Sequence, residues 1–185
     1  MCLEKISKLW EHDIASGYAS GKITTERALQ AALYSHIRWH CPELQIYVEP
    51  GMFYYENGGP SAKPDLVLCS KAKIILVAEI KFMPHWYPRY KDDLAKLKRF
   101  ASEGTDIGHK LQIDPKTGSF TGKLHRITSK TKYAFFVVGR NDSEGAQRDS
   151  MQSLLEPNQF EKNFALFYGR IFKGKKIEFG SDWVR

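Results

Sequence analysis

Residues 63–82 read KPDLVLCSKAKIILVAEIKF, and this stretch constrains the fold more than any other part of the chain. Two apolar runs, Leu66–Cys69 and Ile74–Ala78, flank the polar segment Ser70-Lys71-Ala72-Lys73. Apolar runs joined by a short polar turn are the signature of a β-hairpin, here over 65–70 and 74–82. A turn centred on Ala72 places Asp65 directly opposite Glu79, with Cβ atoms roughly 5 Å apart. Side chains alternate along a strand, so Lys81 shares the face of Glu79 and Ile80 points away. Two carboxylates and one ammonium therefore converge at one end of an apolar hairpin. Like charges directly opposite each other are destabilising unless a counter-charge offsets them. A divalent cation is the natural candidate. The plainer alternative is a solvated sheet face, where charged residues also alternate.

The remaining periodicities supply the frame. Leu3, Ile6, Trp10 and Ile14 mark an amphipathic helix over 3–18. A second helix starts near Thr24 as N-cap and runs to about His40, with the stripe Leu29, Leu33 and Ile37; Pro42 ends it. Residues 44–55 read as a strand interrupted at Pro50-Gly51, and Asn57–Pro60 as a loop. A helix over 90–102 places Leu94, Leu97 and Ala101 inward. Residues 104–131 are polar and basic and read as a second hairpin or flap. Residues 133–139, YAFFVVG, are apolar throughout, as in a strand covered on both faces. A weaker helix is expected over 146–156 and a closing hairpin over 163–180, turning at Lys173–Lys175. The order of elements implies an α/β sandwich, a mixed sheet with helices on both faces. All 185 residues fit a single domain.

Composition narrows the function classes. At 42% hydrophobic and 13% aromatic the chain can bury a core, which excludes wholesale disorder. A formal charge of +7 favours an anionic partner such as nucleic acid, although many basic proteins bind none. Cys2, Cys41 and Cys69 form no CxxC pair, which argues against a disulfide framework or a cysteine zinc site and for a reducing, cytoplasmic setting. Cys69 reads as a small core residue. The first residues lack the apolar core of a signal peptide, and IILVA is too short to span a bilayer, so no membrane partner is expected. Nucleotide-binding glycine loops, GxSxG elbows and HExxH helices are missing from the sequence.

Pro64-Asp65 entering one strand and Glu79-Ile80-Lys81 ending its partner, with a helix before and a helix after, resemble the PD-(D/E)XK nuclease superfamily, the fold of restriction endonucleases. That resemblance implies a three-layer restriction-endonuclease-like core of order αβββαβ over about residues 24–140. It also implies Mg²⁺-dependent (or Mn²⁺-dependent) hydrolysis of phosphodiester bonds, in DNA rather than RNA. Asp65, Glu79 and the backbone carbonyl of Ile80 would hold the metal. Lys81 would orient or deprotonate the attacking water or neutralise developing charge; burial lowers its pKa and the carboxylates raise it, and the balance stays open at this level. Oxygen ligands suit these hard cations. The resemblance further implies an acid from the first core helix near the metal, a role for which Glu26 is the candidate and Glu49 the rival. Glu26 shares the helix face of Leu33 and Ile37, but an acid in a first turn also complements the helix dipole.

His85, Trp86, Tyr87, Arg89 and Tyr90 follow the hairpin and can grip phosphates or pack a crossover; packing is the commoner use. Lys91, Lys98, Arg99 and the flap cations Lys110, Lys116, Lys123, Arg126, Lys130 and Lys132 can track phosphates without reading sequence. A nuclease that cuts both strands often needs two active sites, so a homodimer is in view. Two other readings compete: a catalytically silent nucleic-acid-binding protein or subunit on a nuclease-like scaffold, and an α/β interaction domain whose acidic pair is incidental.

Overall fold

The computed structural model describes residues 2–50, 63–85, 90–103, 108–119, 121–140, 163–172, 174 and 176–183. The first helical stretch is α1 (Cys2–Leu9), a π-turn (Trp10–Ile14) and α2 (Ala15–Ala19) in direct succession. It covers the expected helix over 3–18, but its middle is wound one residue wider than an α-turn. Next come α3 (Glu26–His40), β1 (Gln45–Val48), β2 (Leu66–Ser70), β3 (Lys73–Met83) and α4 (Lys91–Glu103). Then follow β4 (Gly108–Lys110), β5 (Leu124–Arg126), β6 (Lys132–Arg140), β7 (Phe164–Ile171) and β8 (Ile177–Trp183). The N-cap of α3 is Thr25, not Thr24: its hydroxyl accepts the Ala28 N–H at 3.1 Å. The expected helix over 146–156, the loop at 57–60 and residues 51–55 of the expected strand lie outside the described residues.

The strands form one eight-stranded mixed sheet. Its main path is β1-β2-β3-β6-β7-β8, with β4 and β5 attached beside β3. β2 runs antiparallel to both of its neighbours, β1 and β3; β3, β6 and β7 run parallel, and β8 returns antiparallel to β7. Alternation then sorts the side chains to two faces. Leu76, Ala78, Ile80 and Phe136 pack with Leu29, Leu33 and Ile37 of α3 and with Ile6 and Trp10. Val77, Phe135 and Val137 pack on the other side with Leu94, Leu97 and Phe100 of α4. Helices thus cover both faces, as the unbroken apolar run of β6 requires. No helix of the described residues is long and apolar enough to cross a membrane.

The hairpin differs from its expected form in a way that leaves the end pairing intact. The turn holds two residues, Lys71 and Ala72, and Ser70 pairs with Lys73. A bulge then intervenes, so that Leu68 pairs with Leu76 and Leu66 with Ala78. The shorter turn and the extra residue cancel, and the register again aims Asp65 at Glu79.

The flap is a hairpin in part: β4 and β5 pair antiparallel, and β5 pairs with β3 at Lys73↔Arg126. That contact lies at the opposite end of β3 from Glu79. Six residues of strand at about 3.3 Å each separate the two places by roughly 20 Å. The flap cations are therefore not beside the carboxylates, and Lys132 is tied to Asn163 Oδ1 at 2.6 Å.

Trp10 anchors the helical layer to the sheet. It is fully buried, its ring centroid lies 5.4 Å from Phe136 and 5.3 Å from Phe179, and its indole N–H donates to the Tyr168 carbonyl at 3.0 Å. Gly169 makes room for this cluster, because a Cβ there would lie 2.9 Å from the Phe179 ring. Trp10→Ala is expected to cost about 3–5 kcal/mol through the cavity and the orphaned carbonyl, read as a lower urea midpoint with an unchanged slope.

Candidate active site

The site forms where β3 outruns β2. β3 continues to Met83, whereas β2 begins only at Leu66, opposite Ala78. Beyond that point the β3 amides on the β2 side have lost their ladder partners, and a buried N–H without an acceptor is costly. Two carboxylates replace the missing strand. Asp65 Oδ2 accepts the Ile80 N–H at 2.7 Å, and Glu26 Oε2 accepts the Phe82 N–H at 3.1 Å. The Asp65 backbone stays in place because its carbonyl accepts from the Glu49 N–H at 3.0 Å and from Gln30 Nε2 at 3.2 Å.

Glu79 and Lys81 project to the α4 face, opposite to Ile80. Glu79 is 1% exposed, and Lys96 of α4 meets its Oε2 at 2.6 Å, while Oε1 is buried with no hydrogen-bond partner. Lys96 also donates to the Lys63 carbonyl at 3.1 Å, which ties α4 to the segment entering β2. Lys81 Nζ lies 3.3 Å from Asp93 Oδ2, one helical turn before Lys96. Two carboxylates of the hairpin, a third from α3 and a fourth from α4 are thus interleaved with two ammonium groups.

The electrostatics follow from this crowding. Burial pushes the Glu79 carboxyl up to about 9, and the neighbouring Asp65 adds to the shift against the pull of Lys96. The 2.6 Å ion pair favours an ionised Glu79 while the raised pKa favours a neutral one. The raised direction prevails because desolvation acts on both carboxyl oxygens and Lys96 reaches one. Asp65 is also raised, chiefly by burial and against the Ile80 N–H. For Lys81, burial lowers the pKa, but Asp93, Glu26 and Asp65 outweigh it and hold the ammonium above its ordinary value. The balance left open by the sequence therefore falls on the charged side.

Each sequence candidate has a clear place. Asp65, Glu79, Ile80 and Lys81 meet at the hairpin end. Glu26 joins them, although it is exposed rather than inward on the stripe of Leu33 and Ile37. Glu49 is also close: its Oε1 lies 3.5 Å from Gln30 Nε2. Asp93, Lys96 and Gln30 were not legible as site residues. A signal existed for two of them, since Asp93 and Lys96 flank the stripe Leu97–Phe100 at helical spacing and are half-buried, whereas Lys91, Lys98 and Arg99 are exposed. Tyr90 is buried in the core beside α4 and His85 is exposed; Trp86, Tyr87 and Arg89 lie outside the described residues. Cys69 is buried, with its thiol pushed up to about 12 by desolvation, which makes it a core residue and not a nucleophile.

The acceptors gathered here are carboxylate oxygens, the donor type that hard cations take, and Glu79 Oε1 is buried with no hydrogen-bond partner. A separate cluster elsewhere, Asp13, His36 and His40, also brings three potential ligand atoms within 4.8 Å of one another. Among the described residues it is the one such group of three or more, so the Asp65, Glu79 and Glu26 carboxylates are less tightly gathered. A comparison with protein-family models finds no match, and comparisons with curated proteins and with solved structures find none either.

Because its folded-state pKa lies above the ordinary 4.5, ionisation of Glu79 opposes folding. Its contribution to stability is complete below about pH 4.5 and is lost as the pH climbs to about 9. Glu79→Gln keeps the volume and the acceptor for Lys96 and removes the titration. The variant is expected to be more stable than wild type by an amount that is small at pH 5 and grows towards pH 9. Urea melts of both proteins at pH 5, 7 and 9 measure this, and a constant difference would refute the assignment.

Proposed function

We propose that the protein is a divalent-metal-dependent nuclease with a restriction-endonuclease-like core, acting on phosphodiester bonds in DNA. The observation that carries this reading is the meeting of Asp65, Glu79 and Lys81 at the end of β3, with Glu79 held buried and one oxygen unsatisfied. A structural ion pair has no need of a second buried acid beside the first. Asp65 and Glu79 would hold Mg²⁺ or Mn²⁺ with the Ile80 carbonyl, and Glu26 would stand behind them. Such an ion supplies a water of lowered pKa and neutralises phosphate oxygens.

The protein's own groups then divide the work. Lys81, with its pKa raised, is an ammonium at neutral pH and serves as an electrostatic partner of the phosphate rather than as a base. Asp93 fixes where that ammonium sits. Asp65 ties the metal end of β2 to the Ile80 amide, so the carboxylate is positioned before any ligand arrives. Lys91, Lys98 and Arg99 are exposed on α4 near this end and would meet the phosphate backbone. The flap, roughly 20 Å along the sheet, would reach only a substrate that extends that far.

With plasmid and oligonucleotide substrates, cleavage is expected to require Mg²⁺ or Mn²⁺. Lys81→Met and Asp65→Asn are each expected to lower the rate by about 10²–10³, with the fold unchanged by circular dichroism. Lys81→Arg should retain a measurable fraction if the charge is what matters. Absence of cleavage with every divalent ion would overturn the enzyme reading.

One observation favours a second reading, a nucleic-acid-binding protein on the same scaffold. Lys96 already pairs with Glu79 at 2.6 Å, as an internal counter-ion would. Under that reading DNA binds and is never cut, and Lys96→Met destabilises the fold at neutral pH. Under the enzyme reading Lys96→Met strengthens the dependence of stability on added Mn²⁺.

A further inference from the structure

A second group of ligands lies well away from the hairpin, where the π-turn meets the end of α3. His36 and His40 are four residues apart on α3 and so share one helix face. That spacing is the one by which two imidazoles of a single helix bind one metal ion. Asp13 reaches them from the π-turn, and all three ligand atoms lie within 4.8 Å of one another.

The separation of His40 from Asp13 is informative. His40 Nε2 stands 3.5 Å from Asp13 Oδ2, longer than the 2.7–3.2 Å of an ordinary hydrogen bond. Two ligands each about 2.0–2.1 Å from a tetrahedral ion stand about 3.4 Å apart. The separation of this pair is close to the edge length of a tetrahedral coordination shell. The side chains of His40 and Asp13 are 43% and 40% exposed, so an ion can enter from solvent and keep water as a fourth ligand. The surroundings hold the three groups in place. Trp10 and Ile14 at the two ends of the π-turn are fully buried, as is Ile37 between the two histidines. Lys5 Nζ donates to the His40 carbonyl at 3.0 Å, a second tie between the first helical stretch and the end of α3.

We propose that Asp13, His36 and His40 form a binding site for a borderline divalent transition metal, with Zn²⁺ the fitting ion. Two imidazoles and one carboxylate select Zn²⁺ over the Mg²⁺ suited to an all-oxygen site. The ion staples the π-turn to the end of α3 and so stabilises the packing of the helical layer on the sheet. The site is independent of the carboxylates at the hairpin end and of any nuclease activity.

The test is titration of the full chain with Zn²⁺ by calorimetry, and with Co²⁺ by visible absorption. In excess Mg²⁺, which occupies any all-oxygen site, the expected result is one Zn²⁺ bound per chain, weakened at least about tenfold in each of His36→Gln and His40→Gln. Added Zn²⁺ should raise the melting temperature of wild type and not of the histidine variants. The Co²⁺ complex should show ligand-field bands without a thiolate charge-transfer band. Failure of wild type to bind Zn²⁺, equal binding by the histidine variants, or a thiolate band would each overturn the proposal. Circular dichroism of each variant checks that it is folded.

Discussion

The overhang of β3 past β2 is the constraint on which the rest of the site depends. A strand that continues beyond its neighbour exposes amides that must find acceptors. Here the acceptors are the carboxylates of Asp65 and Glu26, one from the mouth of β2 and one from the first turn of α3. The same two bonds therefore finish the sheet edge and bring acidic side chains from two elements to one place. Glu79 and Lys81 lie on the overhanging stretch itself, on the face that α4 covers. The gathering of these carboxylates and the completion of the sheet edge are here the same interactions.

That arrangement carries an energetic penalty. A carboxyl that is 1% exposed beside a second acid resists ionisation, and its pKa of about 9 expresses how strongly. Lys96 offsets part of this at 2.6 Å, and Lys81 is drawn to Asp93 rather than to Glu79. Like charges are thus spread over three elements, each held by a different partner. Strain of this kind is common at functional sites, where charge is kept poised for a ligand rather than neutralised within the fold. It also occurs in structural ion networks.

The two faces of the sheet divide the labour. The face packed by α1, the π-turn and α3 is almost wholly apolar and rests on Trp10, Phe136 and Phe167. The face packed by α4 is apolar near Val77 and Phe135 and turns polar at Glu79 and Lys81. The interleaved carboxylates and ammonium groups lie at the margin of the second face. The basic flap lies at the far end of β3, so the charge excess of the chain is not concentrated at its carboxylates.

Much of this was legible in the sequence because it rests on local alternation. Apolar runs around Ser70–Lys73 determined the hairpin, the inward stripe Leu29, Leu33 and Ile37 determined α3, and YAFFVVG determined a strand covered on both sides. The register that points Asp65 towards Glu79 holds as far as Leu66↔Ala78 although a shorter turn and a bulge had to cancel, an outcome no periodicity encodes. Only the tertiary structure decided which charges meet. Asp93 and Lys96 look like any solvated helix pair until α4 is laid across β3. The charge state of Lys81 depends on carboxylates from three separate elements, and the approach of Asp13 to His36 and His40 depends on how a π-turn docks against α3. Local pattern determines which face a residue takes; long-range packing determines what it faces.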